Sequence, residues 1–264
     1  MKSVIKFTLI YLFLVTFTAQ AQSNSDILLE GMKLLDDASN KQDADRIMEA
    51  REILEQITAD DSLAIWAHYY AAAASSGLAN MITDGFLEGK NRDIAGHVNQ
   101  AIDHLEAAVE IDPTFADGWV LLSTAYAQKI SVRPLKVIGL SRKYNQAMSK
   151  AFELEPKNPR VVLIKAIMDY SLPGIAGGDK ERAEQGYNEA MLLFADEEIT
   201  HPFRPSWGHD QVYVRIGILY MDRGDLEDAR QAFERALELN PGYRWVKRTL
   251  IPSLEKLESQ TLDN

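Results

Sequence analysis

The chain has 264 residues, with 28 basic and 39 acidic side chains and no cysteine. Its acidic balance disfavours phosphate backbones and anionic lipid as partners, so nucleic-acid binding is not expected. Without cysteine there is no disulfide framework and no thiol nucleophile, so the fold must depend on its apolar core. The length suits one large domain or a short array of repeats.

The first 21 residues have the pattern of a secretory signal peptide. Two lysines precede an apolar run, Phe7–Phe17, and the small-x-small sequence Ala19-Gln20-Ala21 follows it. The run is shorter than the roughly 20 residues of a membrane span, which favours cleavage over an uncleaved anchor. We therefore expect residues 1–21 to be removed and residues 22–264 to form the mature domain.

The expected location of the mature protein is the bacterial periplasm or the secreted space. Neither a lipoprotein cysteine nor an Asn-x-Ser/Thr acceptor occurs in the sequence. Since no second long apolar run follows the leader, we expect no stable membrane insertion after cleavage.

Helical spacing of apolar residues predicts helix pairs from the start of the mature chain. The first pair covers Asp26–Ser39 and Asp43–Thr58. The second begins near Ser62 and ends with a helix over Ile94–Ile111. Between these two helices we expect an irregular stretch, Gly77–Gly96, because it holds four glycines.

The third pair starts near Thr114, and its second helix is predicted over Ser141–Glu155. An extra segment, Ile130–Leu140, should interrupt the pair. The fourth pair is predicted over Pro159–Leu172 and Asp179–Ala195.

A glycine-rich turn joins the two helices of the fourth pair. It could hold a phosphate before a helix N-terminus. It lacks the G-x-x-x-x-G-K-[ST] spacing, and Asp179 would repel an anion, so a structural turn with Asp179 as the helix cap is favoured.

A linker, Asp196–His209, contains two prolines, Phe203 and Trp207, which we expect to pack against the last helix pair. That pair, Asp210–Asn240, precedes a last amphipathic helix over Gly242–Leu257 that should cover the end of the array.

The last pair has large and small apolar residues at the offsets that two packed antiparallel helices need. These residues are Tyr213, Ile216, Gly217, Tyr220, Ala229, Phe233 and Ala236, with Pro241 after the second helix. The run resembles the tetratricopeptide repeat, W-x2-L-G-x2-Y followed by A-x3-F and P. This resemblance implies an all-α superhelical stack of about five antiparallel helix pairs, an α-solenoid with a C-terminal capping helix. The fourth pair departs from the pattern because Lys165 occupies an apolar slot.

No group of side chains has the spacing of a catalytic or metal site, so we expect no enzyme, no cofactor and no metal. His97 and His104 could share a helix face, but two turns separate them by about 10 Å, which is too wide for one zinc ion. His201, His209 and Asp210 share a loop region, yet their spacing matches no closed zinc site.

The resemblance also implies that a protein or peptide binds the concave surface. The predicted binding residues there are Gln211, Val214, Ile218, Met221, Asp222, Val120, Thr124, Ala67 and Ala71. Lys, Arg and Asn of a carboxylate clamp are absent from these positions. Two alternatives remain: the residues pack within the stack, or the chain's own inserts close the groove.

The function expected from these features is a non-enzymatic protein- or peptide-binding scaffold of the bacterial cell envelope, whose partner is unidentified. The alternative is a periplasmic accessory component of a solute uptake system of the tripartite-transporter type. Such a component would dock a binding protein or hold a small apolar ligand in a pocket beside Ala67 and Ala71.

Overall fold

A computed structural model of the chain describes residues 24–83, 85 and 93–262. The expected signal peptide, residues 1–21, and most of the 84–92 region lie outside the described residues. Within the described residues the secondary structure is helical, with no strand.

Eleven helices occur in the described part of the chain. They are α1 (24–41), α2 (Ala44–Glu55), α3 (Ala64–Thr83), α4 (Ile94–Ile111), α5 (Ala116–Val132), α6 (Val137–Leu154), α7 (Pro159–Ser171), α8 (Lys180–Ala195), α9 (His209–Arg223), α10 (Leu226–Leu239) and α11 (Ile251–Leu262). Short 3₁₀ turns cover Pro134–Lys136 and Gly174–Ala176, and a π-helical turn over Val246–Leu250 leads into α11.

Consecutive helices pack as pairs, and the pairs stack. α3 packs on α4, α5 on α6, α7 on α8 and α9 on α10. The second helix of one pair also contacts the first helix of the next, as α2 does with α3 and α4 with α5. The predicted all-α solenoid is therefore confirmed.

Side-chain caps set several of the helix starts. The carboxylates of Asp43, Asp93 and Asp179 accept from the backbone N–H three residues on, at Arg46, Gly96 and Arg182. Each bond satisfies a donor that the first helical turn leaves without a partner.

The fourth pair has the predicted bounds to within a residue, and Asp179 caps its second helix as predicted.

Two predicted interruptions are partly wrong. α3 continues through Gly77 to Thr83, because Leu78 and Ile82 extend its buried face. The 130–140 segment is mostly helical: α5 runs to Val132, and α6 begins at Val137 rather than at Ser141. The third pair is longer than the fourth because the helices α5 and α6 extend into the segment that was expected to be an insert.

The capping helix packs as expected on the last pair. Val246, Leu250 and Leu254 are buried in one cluster with Phe233 and Ala236 of α10. Lys165, the departure in the fourth pair, is exposed, and its ammonium lies 5.7 Å from the centre of the Phe152 ring. No helix among the described residues is both long and apolar enough to cross a bilayer.

Candidate functional site

The first helices of the pairs line the concave side of such a stack, and the chain's own residues 196–208, the inner segment, contact three of them: α3, α5 and α7. Trp207 donates its indole N–H to the Tyr69 hydroxyl at 2.7 Å. The Tyr70 hydroxyl donates to the Phe203 carbonyl at 2.9 Å. The linker between α8 and α9 therefore reaches back to α3, in the second helix pair.

Aromatic rings fix the inner segment on α3. The His201 ring stacks on Trp66 with 5.0 Å between centroids, and Phe203 lies 6.4 Å from the same indole. Phe115 meets Trp66 and Tyr69 edge-on at 5.2 and 5.3 Å. Such edge and offset contacts add to the free energy of burial, so this end of the concave side is a packed aromatic core.

A buried ion pair joins the inner segment to α7. The guanidinium of Arg160 is 0 % exposed and binds both carboxylate oxygens of Glu197, at 2.6 and 3.0 Å. It also lies 5.6 Å and 5.7 Å from the ring centres of Phe194 and Trp207. Burial disfavours the charged guanidinium, but the Glu197 hydrogen bond and the charge of Asp117 outweigh it, so the pKa of Arg160 is raised.

Asp117 on α5 is the second buried charge. Its carboxylate accepts from the Asn158 amide at 3.0 Å and lies 3.8 Å from Arg204 of the inner segment. Burial raises its pKa, although Arg160, Asn158 and Arg204 act in the opposite direction. Arg204 also binds Glu155 at 2.9 Å. The inner segment is therefore held by charge as well as by rings.

Residues near the two ends of the stack contact each other. The Asn240 amide donates to the Asn40 side-chain oxygen at 2.7 Å, and Arg244 donates to the Lys41 carbonyl at 2.9 Å. Burial and the nearby charge of Asp210 raise the pKa of Asp36 on α1. The solenoid consequently closes on itself.

Comparisons with known proteins agree with this architecture. The tetratricopeptide repeat family model matches residues 211–243, the region of α9 and α10. The chain contains a tetratricopeptide repeat there.

Two solved structures are similar in fold. TTC0263, a thermophilic tetratricopeptide-repeat protein of Thermus thermophilus, has 18% identity and a TM-score of 0.57, with 90% of this chain and 99% of that one covered. The haemophore HusA of Porphyromonas gingivalis has 17% identity and a TM-score of 0.60, with 75% and 93% covered. A search of curated proteins finds no significant match.

Four of the predicted binding residues are buried. Ala67, Ala71 and Val120 lie in the main core, and Val214 packs with Phe233 and Val246 toward the capping helix. The prediction that these four lie on an accessible concave face is therefore wrong. The cause is that the neighbouring helices pack against α3 and α5, while the C-terminal helices pack against the Val214 side of α9. No pocket opens beside Ala67 and Ala71, because both side chains are 0 % exposed.

The other predicted residues are at least partly exposed. Gln211, Ile218 and Met221 follow one stripe of α9, and Thr124 donates its hydroxyl to the Val120 carbonyl. Asp222 is exposed and accepts from Tyr170 and Lys180. The structure therefore brings together only the α9 part of the predicted set.

The two aromatic linker residues have different neighbours. Trp207 packs against the cluster that contains Val212 and Ile216 of the last pair, as predicted, and donates its N–H to Tyr69 of α3. Phe203 instead packs in the α3 cluster, and Arg160 was not singled out by its position in the sequence. The concentration of aromatic and charged residues in a linker was the only available signal. His201 stacks on Trp66 whereas His209 stacks on Phe194, and no metal-ligand group of three or more side chains occurs in the described residues.

Proposed function

We propose that this chain is an exported, non-enzymatic scaffold of the bacterial cell envelope that binds a protein or peptide. The observation that carries the proposal is the α9 stripe on a stack of tetratricopeptide-repeat hairpins. Ile218 and Met221, three residues apart, lie on one side of α9, where they pack against the capping-helix cluster and remain partly exposed. An apolar centre beside the polar Tyr170–Asp222–Lys180 group has the composition of a protein interface.

The occupied part of the concave surface supports the same proposal. There, the stack already holds an irregular segment of its own chain through inserted rings and a side-chain bond to a main-chain carbonyl. An apolar or helical segment of a partner would bind the remaining part, beside α7 and α9.

The test is capture of partners by the wild-type chain and by Ile218→Glu and Met221→Glu variants, singly and together. A charge at either position would be desolvated in the complex, so the partner that wild type captures should be lost. Leu192→Glu, at a 64% exposed position on α8, is the matched control and should capture normally. Capture that survives both α9 substitutions would refute this site. Val214 is unsuitable, since a glutamate there would test folding instead of binding.

Export is tested separately by the intact mass of the protein recovered from the periplasmic fraction. The proposed cleavage predicts a mass that corresponds to residues 22–264. A mass that includes Met1 would contradict it.

The small-ligand alternative receives no support from the packing around Ala67 and Ala71. We therefore do not extend the proposal to solute uptake.

A further inference from the structure

One edge of the stack displays large apolar side chains in solvent. Leu135 and Ile175 are each 101% exposed, and Ile138 is 82% exposed. Leu135 and Ile138 belong to the α5–α6 turn and Ile175 to the α7–α8 turn. Because these are consecutive hairpins whose first helices pack together, both turns lie at the same edge. Groups of exposed apolar side chains commonly mark interaction surfaces.

The charge around the α5–α6 turn is opposite to that of the whole chain. Residues 118–152 contain no aspartate or glutamate, in a protein whose formal net charge is −11. The same stretch contains six basic residues: Lys129, Arg133, Lys136, Arg142, Lys143 and Lys150. Lys143 pairs with Glu106 at 3.2 Å. Within the part of the chain that the structure describes, Arg133, Lys136 and Arg142 form no ion pair.

We propose that this turn docks on an anionic bilayer surface. The residues that would do so, the basic edge, are Arg133, Leu135, Lys136, Ile138 and Arg142. Leu135 and Ile138 would enter the boundary between headgroups and acyl chains, and the three cations would lie at the level of the lipid phosphates.

The shape of the basic edge favours a bilayer over a protein partner. Pro134 starts a 3₁₀ turn that carries Leu135 into solvent, and Ile138 follows one turn later in the first turn of α6. These side chains protrude, so a protein partner would need a matching cavity. A fluid headgroup region accommodates a protruding side chain directly.

The acidic character of the rest of the chain does not prevent this docking. Charges beyond about 8 Å are largely screened at physiological ionic strength. The cations of the basic edge are the charges nearest the membrane when the turn is seated on it. The expectation that an acidic chain avoids anionic lipid therefore holds for its average surface and not for this edge.

The test is flotation of the full chain with phosphatidylcholine vesicles that contain or lack phosphatidylglycerol. We expect flotation with the anionic vesicles only, and its reduction at high salt. The variants Leu135→Ser/Ile138→Ser and Arg133→Glu/Lys136→Glu should each lower partitioning by about tenfold or more. Leu192→Ser/Leu239→Ser removes exposed apolar side chains on other helices and should leave partitioning unchanged. If residues 1–21 are retained, they add equally to every variant, so the differences still report on the edge.

Insertion is measured directly with a Leu135→Trp variant. Brominated lipid in anionic vesicles should quench its fluorescence beyond the quenching of the four native tryptophans. Three outcomes would overturn the proposal: equal partitioning of edge variants and wild type, equal flotation with neutral vesicles, or no additional quenching. If the basic-edge variants bind vesicles as wild type does but differ from it in the mass measured by sedimentation, the basic edge is instead a contact between copies of this chain.

Discussion

At the scale of single residues, Arg160 is a fully buried charged side chain on which the stability of the fold depends. Its guanidinium has left water completely, and the Glu197 carboxylate compensates that loss with two hydrogen bonds. One nitrogen, Nε, has no hydrogen-bond partner among the described residues. Burying an ion pair is costly, and removing one member is costlier still because it strands the other.

Replacing Arg160 should therefore destabilise the protein far more than replacing Arg204. We expect Arg160→Met to lower the free energy of unfolding by about 3–5 kcal/mol, since Glu197, whose side chain is only 15% exposed, would lose its partner. Arg204→Met removes a partly exposed pair with Glu155 and a 3.8 Å contact with Asp117, which keeps its hydrogen bond from Asn158, so it should cost only about 1 kcal/mol. Urea denaturation followed by circular dichroism measures both, and equal losses would show that the Arg160 pair is solvated in solution.

Two glycines in helices should respond in opposite ways to alanine. A Cβ at Gly217 would lie 2.5 Å from the Phe233 ring, whereas one at Gly77 would meet nothing within 4 Å. Gly217→Ala should cost about 1–3 kcal/mol through overpacking. Gly77→Ala should stabilise by about 0.5–1 kcal/mol through helix propensity. Thermal melts compare the two, and a stable Gly217→Ala protein would mean that α9 and α10 are less tightly packed than described.

At the scale of helices, α2, α3 and α4 meet in a polar cluster that contains three histidines. The Nδ1 atoms of His68 and His104 are 2.9 Å apart, so one must donate and the other must accept. Arg51 contacts Nδ1 of His97 at 3.3 Å, and Glu55 lies 3.4 Å from Nε2 of His104. Burial and the charge of His104 lower the pKa of His68, while burial and Arg51 lower that of His97.

These lowered pKa values predict a loss of stability in mild acid. A histidine whose folded-state pKa is depressed binds its proton more readily when unfolded. Its contribution to stability is therefore complete above the ordinary pKa of about 6.5 and is lost as the pH falls from there through the folded-state pKa. Urea midpoints at pH 8 and pH 5 should show this loss, and His68→Gln should reduce it. The same pH dependence in wild type and variant would contradict the assignment to this cluster.

At the scale of the whole molecule, contacts between distant parts of the chain convert an open array into a closed one. The end of α1 is joined to the segment that follows α10 through the Asn40–Asn240 and Lys41–Arg244 hydrogen bonds. The inner segment connects the second, third and fourth pairs from within. In an open solenoid each repeat contacts only its neighbours, so this closure adds cooperativity across the array.

Closure predicts that a disulfide will form between the ends. A Cβ built at Gly242 lies 3.5 Å from the Asn40 Cβ, within the range of a disulfide bond. Because the chain has no cysteine, Asn40→Cys/Gly242→Cys introduces the only thiols. Oxidation should give a faster-migrating monomer on a non-reducing gel and stabilise the protein by up to about 4–5 kcal/mol, since the closed loop is long. The single-cysteine variants are the controls, and a double variant that stays reduced would show that the ends are apart in solution.

The helical stack and its last repeat were predictable from the sequence, but the accessible surface was not. Spacing, caps and the Gly217–Phe233 contact depend on residues close in the chain, and α9 and α10 have nearly the predicted bounds. The same spacing placed Val214 on the concave face, although the capping helix buries it. Apolar periodicity marks a face that is buried without identifying what buries it.

By itself, the sequence determined the all-α class, the order of the helix pairs and the tetratricopeptide character of the last one, because turns, caps and 3.6-residue periodicity are local properties. Only the tertiary structure decided that the concave side would be filled and the ring closed. Those outcomes depend on the path of residues 196–208 and on their contacts with residues more than 130 positions away in the sequence. The path of the chain in three dimensions sets those contacts.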